Sequence, residues 1–473
     1  MAVKLPFVGP TYQSQSPVAD NARCVNWYVE TPEGQQSKAK VVWYPTPGYA
    51  LFATCPEPVV RGLYTEPSTG RVFAVAGGGL YEISSACVVT LRSLVADDGL
   101  PAQFASNGDI GGQMLVASGG VAYLLVLATN VVTTVLASGA QFVGFIDGYF
   151  VALDTATSTL QVSDLADGAT WPALSVAQRS VASDPWVGMV VSDRKIHLHG
   201  SQTSESWYNN GDPDFPFAYA EGSLVRDGSA GPYSSVALVD NSRIWLTANE
   251  EGTGVVKRSS GYQTVRISTE AVETAIQSYT NVSDAVAWSY QDQGHTFYVL
   301  NFPTMRATWV YDAKTNLWHE RGWWNTSLMQ FDSARGRCHC YGHGQHLVGD
   351  RLTGGIYTQS IALYEDIGST ELRRLGQGPH IYSNGAWIYF PEIRVEVETG
   401  FGLTATREPQ IMLQWSDDSG KTWSDEHWTG LGKIGDYKHE AVWRRCGRSR
   451  DRIFRVVISD PVPCRIVDMY AGV

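Results

Sequence analysis

The chain has 473 residues, 44% of them hydrophobic, 11% aromatic and only 17% charged, with a formal net charge of −12. That acidic balance excludes a general nucleic-acid binder, whose affinity rests on Lys and Arg neutralising phosphates. The 47 Gly, 16 Trp and 23 Tyr suit many short strands joined by tight turns better than charged amphipathic helices.

The N-terminus, MAVKLPFVGPTY, has one lysine, an early proline and no apolar run of signal-peptide length, so no secretion signal is expected. Seven cysteines, odd in number and without paired zinc spacing, argue against a disulfide framework and for synthesis in a reducing compartment. Residues 1–58, with the strand-like RCVNWYVE, are expected to form an extended lead that joins the first or last unit of the domain behind it.

From 59 to 364 one theme recurs: an apolar alternating run, a turn of Gly, Asp or Asn, and a second such run. Units begin near 61, 102, 140, 186, 234 and 285, with a weaker one near Phe331, and a spacing of roughly 40 to 50 residues is that of one four-stranded propeller blade. In the fourth unit Val190, Ile196 and Leu198 share the buried side and Asp193, Arg194 and Lys195 form the turn. The most apolar segment, residues 121–140, breaks at a polar ATN into strand, turn and strand, so a transmembrane helix is not expected. RISTEAVETAIQSY (266–279) is the one helix the pattern predicts, with Ser268 or Thr269 as N-cap and Ala271, Val272, Ala275 and Ile276 on one face. VYDAKTNLWHE (310–320) reads as a kelch-type hairpin in which Asp312 caps the turn and Trp318 packs across it.

A polar, glycine-rich stretch, 365–385, is expected as a linker, and 386–473 as a separate β module built from strand-length runs. The fold class expected is therefore all-β: a six- or seven-bladed β-propeller over 59–364 with a C-terminal β-sandwich-like module.

Within that module MLQWSDDSGKTWS (412–424) carries an Asp box: Ser416, Asp418, Gly420, Thr422 and Trp423. Sialidases use this pattern, yet the box has a purely local reading in which Asp418 accepts backbone N–H groups, Gly420 supplies positive φ and Trp423 folds over the hairpin. A sialidase would add an arginine cluster for the substrate carboxylate, a Tyr/Glu nucleophile pair, several boxes and an early FRIP segment; one full box and no FRIP occur. CHCYGHGQH (338–346) gathers Cys338, His339, Cys340, His343 and His346, but strand alternation splits Cys338 and Cys340 from His339, against a metal site. GLGKIG (430–435) matches a dinucleotide-loop pattern by letters but precedes a strand-like run, not a helix. No catalytic residue, cofactor or metal is expected, and the protein is read as a non-enzyme. WRRCGRSRDRIFR (443–455) concentrates Arg444, Arg445, Arg448, Arg450, Arg452 and Arg455 in an acidic protein. These six are candidates for contact with an acidic neighbouring subunit, set against pairing with Glu440, Asp451 and other carboxylates of the same chain.

Five segments carry a resemblance: SESWYNNGDPDFPFA (204–218), GYQTVRISTEAVETAIQSY (261–279), GHTFYVLNFPTMRATWVYDAKTNLWHERG (294–322), MLQWSDDSGKTWS, and WRRCGRSRDRIFRVVISDPV (443–462). In order and length they resemble the tail-hub, or nozzle, proteins of short-tailed bacteriophages, also called packaged DNA stabilisation proteins. The resemblance implies a structural virion protein forming a homohexameric ring below the portal and its head-to-tail adaptor. That ring extends the DNA channel, helps retain the packaged genome and supports tail fibres or a distal plug. Its partners would be further copies of itself, the adaptor or portal, a fibre or plug protein, and double-stranded DNA in transit without sequence-specific binding, with no membrane. Such a protein would be made in the host bacterial cytoplasm and reside in the virion tail. A carbohydrate-binding or sialidase-like propeller is the alternative, motivated by the Asp box and the many aromatic rings.

Overall fold

The computed structural model describes every residue except Met1, Gln35, Ser180, Glu251, 404–406 and Val473. Apolar alternation joined by tight turns produces seven antiparallel meanders among the described residues, spanning 60–94, 103–136, 142–178, 186–219, 228–266, 286–320 and 336–360. Where a turn is two residues long its backbone follows the twist of the strands. Asp193 and Arg194 both take positive φ (50° and 51°) between Trp186–Ser192 and Lys195–Gly200, as a type I′ hairpin requires.

A single meander leaves both apolar faces open, so each packs on the next. Phe73, Val75 and Leu80 of the first meet Met114, Val116 and Leu125 of the second. Val151, Leu153 and Leu160 of the third meet Met189, Ile196, Leu198 and Trp207 of the fourth; Val190, expected on this side, pairs with His197 and lies on the opposite face, because Met189 and Val191 are the residues across from Leu198 and Ile196. Val60, Val72 and Ala74 of the first also meet Cys340, Leu347 and Ile356 of the last, which closes a ring. The last meander takes its outer strand from the other end of the domain, Gly48–Thr54 pairing antiparallel with Gly355–Ser360. The result is a β-propeller whose closure leaves short strand edges. The helix lies at Glu270–Gln277, capped by Thr269, whose side chain accepts from the Val272 N–H, with Ala271, Val272 and Ile276 buried. A four-residue helical turn at Gly108–Gly111 is an addition that the pattern did not indicate.

Two further sheets form a sandwich. One joins Trp27–Glu30, Val42–Pro45, Ile466–Gly472, Glu392–Val397, Ala441–Arg444 and Ala2–Leu5; the other joins Asn21–Val25, Arg374–Gln377, Asp451–Ile458, Gln410–Ser416 and His427–Gly430. Between them lies a core of Trp27, Trp43, Ile393, Ile411, Leu413, Phe454, Val456, Ile466 and Met469, with Trp27 and Trp43 stacked at 5.5 Å. The N-terminal lead thus divides, because Gly48–Thr54 completes the propeller while five earlier strands pair inside the sandwich. Arg374–Gln377, inside the stretch expected as linker, lies between Asn21–Val25 and Asp451–Ile458. Asn21–Val25 also touches the sixth meander through a parallel pairing of Val25 with Glu320, so one continuous sheet runs from propeller into sandwich.

Candidate interaction surface around the Asp-box hairpin

Alternation along Gln410–Ser416 sends Ile411 and Leu413 into the sandwich core, Trp415 against its margin, and Met412 to the opposite face. At the end of that strand Ser416 Oγ donates to Asp418 Oδ1 (2.7 Å) and accepts from the Gly420 N–H (2.8 Å). Asp418 accepts from Thr422 twice, from its N–H on Oδ1 (2.8 Å) and its hydroxyl on Oδ2 (2.6 Å). Ser419 and Gly420 turn the chain with φ of 64° and 89°. The Thr422 hydroxyl and N–H, then Ser416, hold the Asp418 carboxyl down to about 2. This carboxylate is an acceptor fixed by its own turn. The tip is tied to the N-terminal strand by Asn21, whose amide donates to the Ser419 carbonyl at 3.1 Å. Trp423 lies under the Arg455 guanidinium, 3.9 Å from its ring centre.

The six arginines separate into two groups. Arg452 is only 3% exposed and makes a bidentate pair with Asp417 (2.6 and 2.7 Å), also donating to the Cys446 carbonyl. Arg455 donates to Gln414 Oε1 at 2.9 and 2.6 Å and caps Trp423. Neither guanidinium is free for a second subunit. Arg444, Arg445, Arg448 and Arg450 are exposed, and of these Arg444 lies 3.4 Å from Glu392. Glu440 pairs with Arg394, and Asp451 with His380, so the carboxylates expected to neutralise the run are engaged elsewhere.

Arg448 and Arg450 both cover the ring of Trp387, at 4.6 and 4.9 Å, and Arg448 reaches the Tyr389 hydroxyl at 3.2 Å. Trp387 is 48% exposed and Tyr389 and Tyr382 are exposed as well. The register explains the meeting: Tyr389 pairs with Arg448 and Ile388 with Ser449. The sequence reading missed these aromatics, which lie some 60 residues before the arginines; the alternating WIY at 387–389 was the available signal. An arginine-flanked tryptophan on an exposed face can stack on, or pair with, an acidic protein surface.

The other singled-out residues have internal roles. Asp312 accepts the Lys314 N–H (3.0 Å) and the Thr315 hydroxyl (2.8 Å), and Trp318 is buried with its indole on the Ile267 carbonyl (2.8 Å). Cys340 belongs to the core between the last and first meanders and Cys338 packs against it, while His339 stacks on Trp288 on the other side. Burial pushes the two thiols up to about 12 (Cys338) and about 11 (Cys340), so both are protonated at neutral pH. All seven cysteines are free. The propeller axis is lined by Arg61, Tyr64, Phe104, Phe142, Met189, Tyr233, Trp288 and Arg337 around a cavity of about 270 Å³.

A family model described as bacteriophage P22 Gp10, beta-propeller, matches residues 13–361, and a second, bacteriophage P22 Gp10, beta-sandwich, matches 373–473. No curated protein matches the chain. Among solved structures, the chain is similar to streptogramin B lyase (9% identity, TM-score 0.45, covering 67% of this chain and 98% of that one). It is also similar to U3-55K (8% identity, TM-score 0.37, covering 66% and 98%). Likeness this slight has no bearing on activity. The two family models cover the ring and the sandwich in turn, so the chain belongs to the bacteriophage P22 Gp10 family, the packaged-DNA stabilisation proteins of short-tailed phages, and is a structural component of a phage virion.

Proposed function

We propose that the protein is the nozzle subunit of a short phage tail, assembled as a homohexamer below the portal and its adaptor, where it extends the DNA channel, retains the packaged genome and passes it during ejection. The observation that carries this reading is the match of both modules, in order, to one tail-protein family. Two physical features support it. The propeller's own axis is a side-chain-lined cavity of about 270 Å³, too small for a DNA duplex, so a conduit would have to lie between copies. The net charge of −12 suits a bore that DNA passes without sticking. The exposed Arg444, Arg445, Arg448 and Arg450 with Trp387 and Tyr389 are the proposed contact with an acidic neighbouring subunit. A fibre or plug protein is the proposed distal partner, and host cytoplasm the site of synthesis.

The carbohydrate alternative loses its Asp-box motive, because every side chain of the box is accounted for by the turn or by Arg455. Native mass spectrometry and negative-stain imaging, with the chain alone and with its adaptor, test the proposal. A six-fold ring in either condition supports it; a monomer in both that cleaves a sialoside or binds glycans overturns it.

A further inference from the structure

Between the fourth and fifth meanders, at the tips of the turns 193–194, 239–242 and 261–262, lies an open cavity of about 300 Å³ that the tail reading does not use. Its lining includes Lys195, His197, Arg243, Ser259 and Tyr262. Arg243 begins the strand Arg243–Asn249, and its backbone N–H donates to Ser259 Oγ at 2.8 Å, which leaves the Ser259 proton free to donate. Arg243 is 7% exposed. Among the described residues no ion pair or side-chain hydrogen bond meets its guanidinium, which lies 5.7 Å from the centre of the Trp245 ring.

A guanidinium this enclosed and without a paired carboxylate is costly to keep charged, while its nitrogens are not among the sealed-off unpaired atoms and so stay reachable from the open cavity. The carboxylates at the cavity have other partners: Asp240 pairs with Arg258 and accepts from Ser242, and Asp193 lies 3.5 Å from Lys195 at the exposed rim. His197 adds no negative charge and is held neutral, its two ring nitrogens meeting Ser206 Oγ (2.8 Å) and the Ser192 carbonyl (3.2 Å). Burial, and then the charge of Arg243, lower the His197 pKa to about 2. Burial likewise lowers Arg243 itself to about 10, with Asp193 as its only opposing influence. Across the cavity the Lys195 ammonium sits 4.9 Å from the centre of the Tyr262 ring.

We propose that this cavity is a small-oxyanion site in which Arg243 holds a carboxylate or phosphate group through its fork of donors, Lys195 contributes the second cation and the Ser259 hydroxyl donates a third contact. The site is independent of the tail assignment, so the two can fail separately.

The test uses the full-length protein in a chloride buffer, titrated calorimetrically with inorganic phosphate and, separately, with acetate, each against sodium chloride of matched ionic strength. Saturable binding of at least one anion with Kd of about 1 mM or tighter is expected, and the comparison of the two names the preferred geometry. Arg243→Met is expected to abolish saturation while leaving the anion-free Tm equal to or above that of the parent, because it removes an uncompensated buried charge. Lys195→Met, at a partly exposed position, is expected to weaken binding severalfold with Tm unchanged, and serves as the readout if Arg243→Met does not fold. The proposal is overturned if the parent shows no saturable binding of either anion. It is overturned equally if either folded variant binds as the parent does.

Discussion

Arg455 stacks over Trp423 with its guanidinium carbon 3.9 Å from the ring centre, joining the arginine-rich strand to the Asp-box hairpin. Arg455 also donates to Gln414 and is held by burial at a lowered pKa of about 10. Trp423→Ala is expected to cost about 1–2 kcal/mol of stability, and Arg455→Met less than Arg455→Ala because the aliphatic stem still covers the ring. A urea midpoint series on the three variants checks this; equal losses for Met and Ala at 455 would place the energy in the charge alone.

The division of the arginines gives a second expectation. Arg452→Ala removes a buried cation from Asp417 and from the rings of Trp415 and Phe390, and should lower stability by about 2–3 kcal/mol. Arg444→Ala and Arg450→Ala should stay within about 0.5 kcal/mol of the parent. Size-exclusion chromatography with light scattering should instead show these two weakening self-assembly. Unchanged assembly in the double variant would remove the surface from the ring interface.

His295 joins the strand Trp27–Glu30 to the sixth meander, with Nδ1 2.7 Å from Asp312 and Nε2 2.6 Å from Glu30, and Lys314 stands 3.3 Å from the same Glu30 carboxylate. Burial alone would depress the imidazolium, but the two carboxylates hold its pKa above the ordinary histidine value. The contribution to stability is therefore complete below the unfolded pKa of about 6.5 and is lost as pH rises through the folded value. His295→Gln should be less stable than the parent at about pH 5.5, below that unfolded pKa, and should converge toward it at high pH. Parallel curves would show that the imidazolium does not carry the link.

Asp366 presents the opposite sign. Burial pushes its carboxyl up to about 7, against the Ile367 N–H and the Arg335 charge that favour ionisation. Between the unfolded value near 4 and the folded value near 7 the native state holds the proton and the unfolded chain does not, so stability falls as pH rises across that window. Asp366→Asn should flatten this part of the profile and stabilise the protein above pH 7, as thermal unfolding across a pH series will show. A variant less stable than the parent above that pH would mean the ionised carboxylate is satisfied by Arg335.

The sequence by itself determined the features whose partners lie within one turn or one strand. Alternation at Ile196 and Leu198 announced a meander, because the side-chain period of a strand is local, whereas the partners of those two across the hairpin, Met189 and Val191 in place of Val190, followed from a register that the sequence left open. The Asp box could be read as a turn because the side chains of Ser416, Asp418 and Thr422 and the Gly420 N–H find partners within the same few residues. The helix cap narrowed to Thr269 for the same reason. Only the tertiary structure decided the rest. Asn21–Val25 lies beside Arg374–Gln377, Trp387 meets Arg448, and Arg452 finds Asp417 rather than Asp451. Those meetings depend on which strands become neighbours after the ring closes and the N-terminal lead crosses into the sandwich. A two-residue period records which face is buried and carries no information about what it is buried against. The lone guanidinium of Arg243 belongs to this second class, since a charge looks the same in sequence whether or not the fold supplies its partner.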